Sequence, residues 1–266
     1  MTNTFYKAFS SEQYKLSKSK ELFGILLLPA LIIIAIDFYN IYNILTEGGA
    51  GEGKFNPWKF ILGRTVCMFL YMLYPILVSL FVHACCDVEY RNNNYKILFT
   101  LPVSKSKIFI SKVLFMLMTV WFSMILTYLV FLLSGYLFSV IFPELGFQNY
   151  DFREVIFYVF LKFSITLSAI TMIQLALSLI FKSFIYPIGF SMFMLIFSGF
   201  ANEKRFSDFL VYTGGYRFLE NLLTENISFG RLDYCNMAAV FVFAGVSFYL
   251  FVRKKGVMWS KIVGVF

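Results

Sequence analysis

Charge is what this chain has least of. Only 14% of its 266 residues are Asp, Glu, Lys or Arg, where an average soluble domain has about a quarter. Hydrophobic residues make up 59% and the mean hydropathy is +0.75. A soluble core of this length could not hide 35 Phe and 17 Tyr. The composition therefore excludes a soluble globular domain and indicates a polytopic membrane protein. Histidine is nearly absent as well. One residue, His83, cannot supply the ligand set of an intramembrane metalloprotease, and no Ser/His/Asp set can be assembled on one face, so catalysis by this chain is not expected. The four cysteines, Cys67, Cys85, Cys86 and Cys235, contain no C-x-x-C pair. In "HACCD" the adjacent thiols would leave a helix about 100° apart, a poor arrangement for holding one metal ion, so they read as small buried hydrophobes. A cleavable leader is not expected either: the first apolar run follows a polar segment of about twenty residues and has no A-x-A exit, which suits a retained anchor.

What is present is a set of long apolar runs. A hydrocarbon layer of about 30 Å needs about twenty helical residues, and six segments qualify: 22–45, 58–86, 108–142, 153–181, 184–200 and 236–252. The expected fold is thus all-α with six transmembrane helices in one transmembrane domain, 1–266. The third run is long enough to hold a full span plus a broken or tilted outer piece near Ser134 and Gly135, before Pro143 stops it. Pro29, Pro75 and Pro187 fall inside spans and should bend them.

The cations give the orientation. Fourteen of the 23 Lys and Arg fall on the side that holds both termini and the second and fourth loops, including Lys7, Lys15, Lys18, Lys20, Lys182 and Lys261. By the positive-inside rule both termini are cytoplasmic, and the net charge of +8 faces an anionic inner leaflet rather than a nucleic acid. The segment Phe5 to Leu16, within 1–21, can lie on that leaflet as an amphipathic interface helix; a disordered tail is the alternative. The same topology decides the fate of "GGAGEGKF". Gly48, Gly53 and Lys54 match a phosphate-binding loop, but Phe55 stands where the magnesium-binding hydroxyl belongs, and Pro57 with Trp58 opens the next span instead of a following helix. The stretch lies on the outer side and reads as a flexible turn, as the 201–235 segment reads as an extracellular loop.

The second cytoplasmic loop, 87–107, carries the functional signal. In "DVEYRNNNYKILFTLPVSKSKIFISK" a charged start is followed by a short run in which Tyr95, Leu98 and Phe99 share one helical face and Arg91, Asn92 and Lys96 the other; Pro102 breaks it. With Glu89 and Tyr90 before the run, and Pro102, Ser104, Lys105 and Lys112 after it, this segment resembles the permease subunits of type 2 ABC exporters, in which a glutamate and a coupling helix precede a Leu-x-x-Pro-hydrophobic-Ser-basic motif and a lysine early in the third span. The resemblance implies that Glu89 to Phe99 docks an ATPase. It also implies two copies of a separate ATP-binding subunit that binds ATP and magnesium, no cofactor on this chain, and a second permease half as homodimer or heterodimer. Where many members have Gly-Thr, "NNNYK" stands here, which resembles the small permeases that protect Gram-positive bacteria against lantibiotics. That implies an amphipathic antimicrobial peptide as cargo; a permease for another drug, lipid or peptide, or a membrane receptor or scaffold, stays open. The absence of an internal repeat and of a midplane acidic or histidine relay disfavours a secondary transporter.

Four polar residues within the apolar runs stand out. Asp37 and Arg64 lie at similar depths in the first two spans and form a candidate intramembrane pair, with snorkelling to the outer interface as the alternative. Lys162 and Gln174 in the fourth span are candidates for a polar cavity lining.

Overall fold

The computed structural model describes residues 6, 9–14, 20–47, 56–61, 67–90, 104–201 and 206–253. Among them the regular structure is helical throughout, with no strand. Residues 9–14, part of the expected interface helix, are helical, and Phe9 packs against the core. The long elements are α1 (Lys20–Glu47), α2 (Pro57–Ile61), α3 (Cys67–Tyr90), α4 (Lys105–Ile141), α5 (Arg153–Ile180), α6 (Ile185–Ala201), α7 (Gly214–Thr224) and α8 (Arg231–Arg253). Four of them, α3, α4, α5 and α8, are long and apolar enough to cross a membrane. Two shorter apolar stretches, Leu27–Asn40 in α1 and Ile185–Ala201 in α6, stand where the first and fifth spans are expected.

Helix α5 is the axis of the bundle. It packs against α3, α4, α7 and α8, and nearly every side chain from Val159 to Leu179 is buried. An apolar solvent gives two apolar helices little reason to associate, so hydrogen bonds and close packing must contribute. The buried hydroxyls of α5 do this. Ser164, Thr166, Ser168 and Thr171 each donate back to the carbonyl four residues earlier. Two of those hydroxyls also receive a neighbouring helix: Trp121 of α4 donates its indole N–H to Ser168 at 2.9 Å, and Asn236 of α8 donates to Thr166 at 2.8 Å.

Three expectations change. The run 58–86 contains two helices, α2 and α3, with 62–66 outside the described residues. Helix α4 is not broken near Ser134 and Gly135 but continues for 37 residues, about 56 Å at helical rise, so it extends well beyond a layer about 30 Å thick. Ser134 donates to the Phe131 carbonyl within the helix at 2.8 Å, and Gly135 lies against the ring of Trp58, where a Cβ would collide with it. That glycine admits a neighbour; it does not mark a kink. Pro187 falls in the first turn of α6, where a missing N–H costs no helical bond. Pro75 does lie mid-helix in α3, and its carbonyl accepts from Ser79 at 2.8 Å and from Ser191 of α6 at 3.4 Å.

The segment after α6, read from sequence as an outer loop, is folded into the bundle. Two short 3-10 turns, Ser207–Phe209 and Val211–Thr213, carry the chain along α5 until Tyr212, 2% exposed, accepts a hydrogen bond from Gln174 at 2.8 Å near the C-terminal end of that helix. The chain then returns as α7, with Phe218 packed on Phe163 and Phe160 nearer the other end of α5. Gly214 and Gly215 make the return possible, since a side chain there would meet Thr166 and Tyr71.

Candidate functional site

The connection between α3 and α4, expected on the cytoplasmic side, is described at its two helix ends. Glu89 and Tyr90 are the last residues of α3; Ser104, with extended backbone (φ −64°, ψ 139°), precedes α4, and Lys105 is its first residue. Lys105 and Lys107 are half-buried at this end, while Lys112 one turn further is 1% exposed. The Lys112 ammonium donates to the Cys85 carbonyl at 3.3 Å. A cation beside the last turns of a helix is favoured by the partial negative charge of its carbonyl end, and here it joins the start of α4 to the end of α3. Cys85 and Cys86 are buried among the core side chains, and His83 is buried nearby. Among the described residues no three His, Cys, Asp or Glu side chains gather as a metal site. The expected coupling residues Arg91, Asn92, Tyr95, Lys96, Leu98 and Phe99, together with Pro102, lie outside the described residues, as does the glycine stretch with Lys54.

The intramembrane polar residues separate into two groups. Asp37 is 6% exposed in α1, faces Ser134 of α4, and its carboxylate oxygens have no hydrogen-bond partner among the described residues; Arg64 lies outside them. Lys162 and Gln174, expected as cavity lining, are engaged in internal bonds. Lys162 donates to the Asn226 carbonyl at 3.0 Å with the Phe229 ring 6.0 Å away, and Gln174 holds Tyr212. Both residues therefore anchor the folded-in segment to α5.

Sequence reasoning missed the strap formed by α2. Trp58 donates its indole N–H to the Phe147 carbonyl at 3.3 Å, while Lys59 reaches the Leu223 carbonyl at 3.0 Å and the Glu225 carboxylate at 2.6 Å. Five residues thus join the ends of α4 and α7. The available signal was Pro57, a favoured first helical residue, followed by a tryptophan and a lysine, residue types that anchor at interfaces. Arg217 of α7 was also passed over. Burial opposes its charge, but the hydrogen bond and charge of Glu220, assisted by Asp208, outweigh that and hold the guanidinium above its ordinary value.

The family model for ABC-2 family transporter proteins matches residues 8–198, from the amino-terminal helix through α6. The chain belongs to the ABC-2 transporter family. It is accordingly a membrane component of an ABC transporter, in a family whose members work with an ATP-binding subunit and whose membrane subunit is not itself catalytic. No curated protein matches the chain. For this ABC-2 family protein, the α3–α4 connection, whose helix ends are joined by Lys112, bears the motif inside the matched region, whereas the folded-in segment and α8 follow that region.

Proposed function

We propose that this protein is one permease half of an ATP-driven exporter that removes amphipathic antimicrobial peptides of the lantibiotic type from a Gram-positive bacterial cell membrane. Two halves, identical or sister chains, enclose the path. Two copies of a separate ATP-binding subunit hold ATP and magnesium and dock under Glu89 to Phe99, on the cytoplasmic side with both termini. The chain itself binds no nucleotide.

The observation that carries this reading is the Lys112 contact. With the start of α4 bound to the last turns of α3, a push on residues 91–103 moves two helices together. Helix α3 packs on α5, α6 and α7, so the displacement is passed to the centre of the bundle. Arg91 and Lys96 set the register of the docked subunit, and Tyr95 and Phe99 supply apolar anchors of the kind that dominate such contacts.

The test is the double substitution Tyr95→Ala with Phe99→Ala. It is expected to leave the permease inserted while co-purification of the ATPase falls about tenfold or more, as for the loss of an aromatic anchor, and peptide-stimulated ATP turnover disappears. Lys54→Ala is expected to change neither. ATP hydrolysis by the isolated chain that is lost on Lys54→Ala would overturn the reading.

A further inference from the structure

At the end of α4 away from its lysines, an open cleft of about 630 Å³ lies between that helix and the start of α5. Trp58, Tyr136, Phe147 and Tyr150 give it an aromatic wall, and Asp151 and Arg153 also line it. The wall is set by internal contacts, since Trp58 is bonded to the Phe147 carbonyl and its ring meets that of Phe147 edge-on at 5.3 Å. Asp151 and Arg153 are exposed, and neither takes part in an ion pair among the described residues. From the cleft toward the lysine end of α4, Leu133, Leu129 and Ile125 form an exposed apolar stripe.

We propose that this cleft binds the headgroup of a zwitterionic, amine-bearing phospholipid, with its acyl chains running back into the layer along the Leu133–Leu129–Ile125 stripe. Asp151 takes the ammonium, which the aromatic wall also favours, and Arg153 takes the phosphate. The volume is that of a small-ligand site, too small for a folded peptide of a few dozen residues. The 56 Å reach of α4 estimated above places this end at or beyond the headgroup layer rather than among acyl chains. The stripe beside it is what an attached acyl chain requires and what a soluble small molecule does not.

Native mass spectrometry of the purified full chain, equilibrated with equal amounts of phosphatidylethanolamine and phosphatidylglycerol, tests this. One phosphatidylethanolamine is expected to be retained over phosphatidylglycerol by about five- to tenfold, the difference carried by one charge-assisted contact. Asp151→Asn should bring that ratio near one, Asp151→Glu should preserve it, and Arg153→Gln should lower retention of both lipids. Both positions are exposed, so unchanged circular dichroism melting separates lost binding from lost fold. Equal retention of the two lipids by the unmodified chain, or a ratio indifferent to Asp151→Asn, would overturn the site. So would one-for-one displacement of the lipid by a basic amphipathic peptide, which would assign the cleft to peptide instead.

Discussion

Single residues in this protein are constrained most where helices touch without room for a Cβ. Gly215 is the sharpest case: it opens α7, and the ring of Tyr71 occupies the space a methyl group would need. Tyr71 cannot easily yield, because it is buried, packed at a tilt against the Tyr216 ring and bonded through its hydroxyl to the Leu195 carbonyl at 3.3 Å. Gly215→Ala is therefore expected to lower stability by about 1–3 kcal/mol, the usual cost of overpacking, read as a lower melting temperature in detergent. Gly24→Ala is the control. Gly24 lies in α1 with open space around it, and the change should leave stability within about 1 kcal/mol. The two glycines look alike as letters, and only their neighbours separate them.

At the level of elements, the folded-in segment between α6 and α8 is held by polar contacts made far from water. Gln174 is fully buried, with its amide N–H on the Tyr212 hydroxyl and its amide oxygen unpartnered. Tyr212→Phe would leave the whole amide unpaired, at a cost of about 1–3 kcal/mol. Adding Gln174→Leu should recover much of that loss, because replacing both members of a buried polar pair by apolar groups can be nearly neutral. Thermal unfolding of the single and double variants measures this, and an additive double variant would show that the two side chains do not act as a pair. The α2 strap belongs to the same scale. Trp58 and Lys59 join elements whose apolar patterns alone do not bring them together.

For the whole molecule, the distribution of charge across the layer decides which end meets the ATPase. The cations cluster beside the termini and the α3–α4 turn, so that end is expected to face the cytoplasm. A cysteine placed at Gly51 should react with an impermeant thiol reagent in intact cells, and one placed at Asn93 should react only after the membrane is opened. The opposite pattern would invert the topology and move the Asp151–Arg153 cleft to the inner leaflet. Native cysteines are replaced first, since Cys235 is only partly buried.

The sequence by itself determined the membrane class and the location of the long apolar helices α3, α4, α5 and α8, and it alone carries the motif around Pro102 to Lys112. These are local properties: an apolar run is compared with a layer of known thickness, and a short motif is complete within about 25 residues. It did not determine that α4 is unbroken at Gly135, that Lys162 and Gln174 hold the folded-in segment, or that α2 straps α4 to α7. Each of these depends on two residues far apart in the chain becoming neighbours, as with Trp58 and Phe147, Gln174 and Tyr212, or Lys59 and Leu223. Inside a lipid layer apolar surface does not distinguish one partner helix from another, so the choice falls to hydrogen bonds and to glycines that admit a ring. Those pairings exist only in the folded bundle, and the tertiary structure decided them.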